Sequence, residues 1–302
     1  MARSPLSLAA LASVALPGSN IIGVRSIEVP GEYDGAEITL ADGQKLIAQT
    51  PNSPGAGISQ AAELTLLEEL ALLAKAGSLP FAVPEIAGTA PLPDGGRVVV
   101  TRPLAGVPVD VEALRPGPGL ASSLGRAIAA IHELPSGLLE RLDFPIFTAA
   151  DYRERHAVEL DAAGATGLVP LNLLQRWEAF LDDDELWSFE PVVLHGDLAP
   201  EYLLVDSGQV RTISGWANAR VADPADDLAW LVAAAPEDVG DSILKAYQKG
   251  RSGSVDSGLI DRTMLVSELA LARWLQYGIR ENRADVIADA TTMLSDLAAA
   301  VS

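Results

Sequence analysis

One change of period, near residues 101–106, constrains this chain more than any other feature. Before it the apolar residues alternate in short runs. Ile22–Val29, Ala36–Ala41 and Lys45–Thr50 read as strands, and Asp42-Gly43 between the last two is a tight hairpin signal. Pro30 to Gly35 joins the first two strands, either as a plain turn or as a tip lying over a ligand. Pro51–Ser59 reads as loop, and a helix follows over Gln60–Lys75, with Leu64, Leu67, Ala71 and Ala74 on one face. A second hairpin pairs Glu85–Thr89 with Arg97–Thr101 around Pro93-Asp94-Gly95-Gly96. After Gly106 the period becomes helical, over Leu120–Leu134, Ala149–Ala162, Leu171–Leu181, Ala225–Ala235, Val239–Lys249, Leu259–Tyr277 and Ala284–Ala299. One β-like island interrupts them, at Val192–Leu194, Tyr202–Val205 and Val210–Ile213. The pattern predicts an α+β chain of two lobes. Residues 1–102 form a small antiparallel β lobe with one inserted helix, and 103–302 form a larger, mainly helical lobe.

Composition narrows the chemistry. With no cysteine, disulfides, thiol nucleophiles and Cys-ligated metals are excluded, and three histidines (His132, His156, His195) rule out a His-rich metal cage. Acidic side chains number 41 against 21 basic, a formal charge of −20, which repels nucleic-acid backbones and suits basic or cationic partners or plain solubility. The apolar stretch Leu6–Leu16 after Arg3 loosely imitates a signal peptide. It lacks a distinct cleavage site and reads instead as a first helix ended by Pro17-Gly18, so the expectation is a cytoplasmic protein without a membrane span. No G-x-S-x-G elbow and no H-E-x-x-H spacing is present, which argues against serine and zinc hydrolases.

The densest chemical signal is the stretch from Val192 to Leu228. An apolar strand ends in His195-Gly196-Asp197, a loop and hairpin follow, then Trp216, then Asp223-Pro224 and Asp227 at a helix start. A carboxylate at a strand end is a usual place for a catalytic group, although such an aspartate can also be purely structural.

This order of features resembles the aminoglycoside and macrolide phosphotransferase family, whose fold is protein-kinase-like. Leu124-Gly125 with Ile131-His132-Glu133-Leu134-Pro135, and Arg102-Pro103-Leu104-Ala105-Gly106 as a hinge, extend the likeness across nearly the whole chain. The resemblance implies transfer of a phosphoryl group from ATP, with Mg²⁺, to a hydroxyl of a small molecule, and the acidic surface would suit a cationic one. It casts Asp197 as base, His195 as structural support and Asp227 as support of the catalytic loop. Glu63 corresponds to the helix glutamate that braces a third-strand cation, and Gln49, Val100 and Arg102 fall at nucleotide-binding positions. It puts the acceptor pocket between 152–159 and 268–281, where Glu268, Trp274 and Tyr277 either line it or pack helices.

Three departures stand inside that resemblance. Tyr202 occupies the position of the family's asparagine, five residues beyond the catalytic aspartate. Gly215, before Trp216, replaces a metal-binding aspartate, and Gln49 stands where the third strand carries a cation, with Lys45 further back on the same face. Glu201, Asp206 and Asn218 are the nearby substitute oxygen donors, and the metal ligands stay unassigned. The alternative implied by these departures is a degenerate kinase fold that binds a ligand or partner without transferring phosphate. Oligomeric state is not readable from the pattern.

Overall fold

The computed structural model describes residues 3–93 and 95–301; Asp94 of the second hairpin turn lies outside them. Strands β1 (Ile21–Ile27), β2 (Tyr33–Leu40), β3 (Lys45–Pro51), β4 (Ile86–Pro91) and β5 (Arg97–Thr101) form an antiparallel sheet in the order β1-β2-β3-β5-β4. Alternation decides its two faces. Ile38, Leu46, Ala48, Val98 and Val100 pack with Ala12 and Ala15 of helix α1 (Pro5–Ala15) into the small core of this lobe. The stretch that imitates a signal peptide is thus a structural helix, capped by Ser4. Lys45, Ile47 and Gln49 of β3 alternate with that core and face the other way.

Helix α2 (Pro54–Lys75) begins six residues before the sequence places it. The Ser53 hydroxyl accepts from the Ala56 N–H, and Pro54 occupies the first turn, where its missing N–H costs nothing. Its buried face is also rotated, running through Leu66, Leu67 and Leu70, because the helix is covered by the sheet and by the second lobe at once.

The helical lobe contains α3 (Leu120–His132), α4 (Ser136–Arg141), α5 (Ala149–Ala165), α6 (Leu171–Asp182), α7 (Ala225–Ala234), α8 (Glu237–Gly250), α9 (Leu259–Arg280) and α10 (Ala284–Ala300). Between α6 and α7 lie short strands: β7 (Val192–Leu194) pairs with β10 (Arg220–Ala222), and the hairpin β8 (Leu203–Asp206)–β9 (Gln209–Ile213) pairs with β6 (Val107–Pro108). The short α4, β6 and β10 carry too few residues to show a period of their own. The lobes share backbone bonds as well as core. Ala82, just before β4, donates to Arg211 O at 2.8 Å, and Ile213 donates to Ala82 O at 2.9 Å.

A buried guanidinium fixes where α7 starts. Arg262 on α9 is fully buried; it meets Asp223 at 2.7 Å and Asp256 at 2.7 Å, donates to Leu186 O at 2.9 Å, and lies 4.3 Å from the Phe189 ring centroid. Burial pushes the Asp223 carboxyl up, and the paired Arg262 pulls against that shift. Removing the cation leaves the buried Asp223 carboxylate without its partner, while Asp256 keeps access to solvent. Arg262→Met is expected to lose about 3–5 kcal/mol in urea unfolding at neutral pH; a loss under about 1 kcal/mol would show that the cluster contributes nothing beyond a surface pair.

Candidate active site

The loop after β7 is held by its backbone. Asp227, at the start of α7 and almost fully buried, accepts from the His195 N–H at 2.8 Å and from the Gly196 N–H at 2.9 Å. Its Oδ2 also lies 3.3 Å from Nε2 of buried His132, whose Nδ1 is 2.9 Å from the Tyr247 hydroxyl. The helix start adds its own unpaired amides and dipole on the same side. Burial opposes charge on Asp227, but His132, His195 and the Gly196 amide outweigh it and hold the carboxyl below its ordinary range. Gly196 sits at φ +83°, and a β-carbon there would run into the Asn218 carbonyl oxygen and the Arg220 guanidinium. The glycine of His-Gly-Asp is therefore required twice, for its conformation and for its lack of a side chain.

Neutral His195 is fixed in one tautomer. Its Nε2 donates to Ser214 O at 2.8 Å, and its Nδ1 accepts from the Asp197 N–H at 3.3 Å. Full burial depresses its pKa, and the same cause depresses that of His132. Both nitrogens of His195 are spent on backbone, so this ring organises the loop.

That loop aims Asp197 into a cavity of about 1370 Å³ walled by α5, α7, α9 and the segment 217–220. Asn218 donates its side-chain amide to Asp197 at 3.2 Å. The surrounding walls push the Asp197 carboxyl up; His195, Asn218 and Arg220 oppose the shift, while Glu201 adds to it. Five carboxylates (Asp151, Glu154, Glu159, Asp197, Asp226) line the cavity against three guanidinium groups (Arg155, Arg220, Arg273). Arg220 is spoken for by Asp226 at 2.6 Å and by the Tyr152 hydroxyl at 2.9 Å, and Arg273 by Glu159 at 2.9 Å. The Tyr152 hydroxyl in turn donates to Asp226. The sequence pattern singled out none of Arg220, Asp226 or Arg273; their signal lies only in spacing along elements whose orientation the sequence leaves open.

The second stretch expected to line this cavity does so through other residues. Ser267, Ala270, Arg273 and Gln276 face it. Glu268 instead accepts from the Trp177 indole at 2.8 Å and pairs with Arg176 at 3.1 Å. Trp274 and Tyr277 stack on one another, 5.3 Å apart and nearly parallel, on another side of α9.

The nucleotide-side residues are placed differently from the expectation. Glu63 reaches no third-strand cation. Its Oε1 accepts from the Trp216 N–H at 2.8 Å, a second bond comes from the Gly215 N–H, and burial raises its pKa against these two bonds. Gln49, half-buried and opposite Val99 of β5, is a neutral amide, and Lys45 is drawn to Glu37 at 3.1 Å. Val100 is fully buried against the α1 side, so any contact it makes with a nucleotide is confined to its backbone. Arg102 turns its side chain to Glu85 at 3.2 Å, and its N–H donates to Glu85 O at 3.0 Å.

The residues do not fit Mg²⁺, a hard cation that needs oxygen donors. The Tyr202 phenol is held in its protonated form, its pKa raised by burial and then by Asp197, Glu201 and Glu63. Gly215 has no side chain. Glu201 is exposed, and Asp206 is drawn toward Arg211 at 3.7 Å. Among the described residues no group of three or more histidines or carboxylates is arranged to hold a metal. No helix among them is long and apolar enough to cross a membrane.

Comparison with known proteins settles the class. Residues 36–262 match the pattern of the phosphotransferase enzyme family, so the chain belongs to that family, and its fold is the protein-kinase-like one. Among solved structures, macrolide 2'-phosphotransferase MphH from Brachybacterium faecium is similar, with TM-score 0.80 and 25% identity over 96% of this chain and 98% of that one. The GDP and kanamycin complex of an aminoglycoside 2''-phosphotransferase shares the fold, with TM-score 0.78 and 18% identity over 96% of this chain and 98% of that one. An uncharacterized Bacillus subtilis protein, YcbJ, is 30% identical over 114 residues, a match that spans 37% of each chain. Family and structural relatives together support small-molecule kinase activity.

The buried histidines give the site a pH signature. Their folded pKa values lie below the unfolded value of about 6.5, so as pH falls below that value the unfolded chain takes protons the folded chain refuses, and stability drops. Asp227, with a depressed pKa, contributes stability above about pH 4 and loses it only at lower pH, so it adds no slope at milder acidity. The thermal midpoint should therefore decline between about pH 7.5 and pH 5. Glu63, Asp197 and Asp223, whose carboxyls burial pushes up, act in the opposite sense, so a flat calorimetric profile would mean that they offset the two rings.

Proposed function

We propose that the protein is a small-molecule phosphotransferase that holds a hydroxylated, positively charged molecule in the cavity of the helical lobe. Asp197 takes the proton of the acceptor hydroxyl as that oxygen bonds to the γ-phosphorus of ATP and the bond to ADP breaks. The proposed setting is the cytoplasm, where ATP is available. The placement of Asp197 carries this reading. Its carboxylate opens onto the cavity from a loop pinned by two backbone bonds to Asp227, while Asn218 donates to it and His195 accepts from the Asp197 backbone N–H. The surplus of carboxylates around the cavity supports a cationic ligand. Chemistry of this kind rests on positioning and charge, which the acceptor half supplies.

Binding without transfer is the second reading. It is favoured by the donor half, where Tyr202, Gly215 and Gln49 offer neither metal ligands nor a phosphate cation. Calorimetric titration with ATP, with Mg²⁺ and with EDTA, followed by a screen of hydroxylated cationic acceptors, separates the two. Phosphorylated product supports the first reading; an acceptor that binds without forming product at saturating ATP supports the second.

Where product forms, Asp197→Ala should reduce turnover at least about 100-fold. Turnover should also fall on the acid side as pH drops through the raised pKa of Asp197, since only the carboxylate accepts the proton. Unchanged turnover in the alanine variant would remove Asp197 from the mechanism.

A further inference from the structure

Two of the departures from the family pattern, thirteen residues apart, meet in space. Gly215 sits at φ +83° and ψ 40°, and the Tyr202 ring lies directly on it. A β-carbon on Gly215 would fall 2.6 Å from Cε1 and 2.8 Å from Cγ of that ring, which is no contact a packed structure holds. The other end of Tyr202 reaches across to the first lobe. Its hydroxyl lies 4.0 Å from where a β-carbon on Gly31 would be, at the tip between β1 and β2. The same tip is packed down from above. Tyr33 lies against Gly31, and Val29 fills the space beneath Gly35, where a β-carbon would be 2.7 Å from Val29 Cγ1. The ring is also supported from behind by His195, 5.9 Å away centroid to centroid, which in turn lies 4.8 Å from Trp216.

We infer that Tyr202 and Gly215 form a single unit that closes the phosphate end of the cleft between the lobes to a metal-bound nucleotide. The ring spans from the β1–β2 tip to the 214–216 loop, across the two positions, 202 and 215, that the family resemblance assigns to metal ligands. Closure and the missing side chain at 215 are one structural fact, because the ring takes the volume that a side chain there would use. The inference rests on the second reading, binding without transfer, and deepens it: a cleft closed in this way excludes Mg–ATP from the wild type, so closure and transfer by the wild type exclude one another.

Four proteins test it: the wild type, Tyr202→Asn, Gly215→Asp and the double variant. Two readouts apply, the thermal midpoint without ligand and calorimetric binding of ADP with and without Mg²⁺. Gly215→Asp alone should lower the midpoint by several degrees, since the new side chain meets the ring, whereas aspartate itself tolerates the left-handed conformation better than most residues. In the Tyr202→Asn background the same change should cost clearly less. The double variant should bind ADP at least about tenfold more tightly in Mg²⁺ than in EDTA, with no such dependence in the wild type. Tyr202→Phe keeps the ring and should leave the cleft closed, which guards against misreading a general loss of fold.

Equal destabilisation by Gly215→Asp in both backgrounds would overturn the coupling. Wild-type binding of Mg–ADP as tight as that of the double variant would overturn the closure, and so would coupling without any gain in nucleotide binding. Product formed by the wild type from Mg–ATP would likewise overturn the closure and uphold the first reading, whereas the ligand-free midpoints test the coupling whichever reading of function holds.

Discussion

The carboxylate of Asp227 is the contact on which the rest of the site depends. One buried side chain joins four elements: it is carried by α7, takes two amides from the end of β7, and meets His132 of α3, whose other nitrogen meets Tyr247 of α8. The line continues outward through His195 to Ser214 O and then, by way of the adjacent amides, to Glu63 on α2 in the other lobe. Every member of this line has a partner, which is the condition under which a buried polar network specifies a structure instead of weakening it. Arg262 sets the beginning of the same helix from the opposite side through Asp223.

The two halves of the molecule are finished to different degrees. Around Asp197, Arg220 is oriented by Asp226 and Tyr152, and Arg273 by Glu159. In the first lobe the charged groups serve the fold. Glu63 holds backbone amides, Lys45 and Arg25 meet Glu37, and Arg102 meets Glu85. A kinase-like frame with its glutamate turned to the backbone keeps the lobes together without a cation between them.

Much of this frame was legible in the sequence, because alternation of period two and periodicity near 3.6 are imposed by burial and so survive in the residue pattern. The strands of the first lobe, the long helices and the His-Gly-Asp loop before Asp227 all carry such a signal. The start of α2 did not, since Pro51 to Gly55 has the composition of a turn while Ser53 and Pro54 in fact open a helix. On α9 the pattern left open whether Trp274 and Tyr277 line the cavity; their neighbours Arg273 and Gln276 do, because a single position turns a helix by about 100°. The partner of Glu63 was hidden for a different reason, because a backbone amide leaves no trace in the identity of the residue that offers it.

The seating of Tyr202 on Gly215 makes the two positions one unit of packing. With the ring in place, a side chain at 215 has no room, and a change at 202 that removes the ring uncovers a backbone held in the left-handed conformation that glycine adopts most readily. The tolerance of either position is set by the residue that stands at the other.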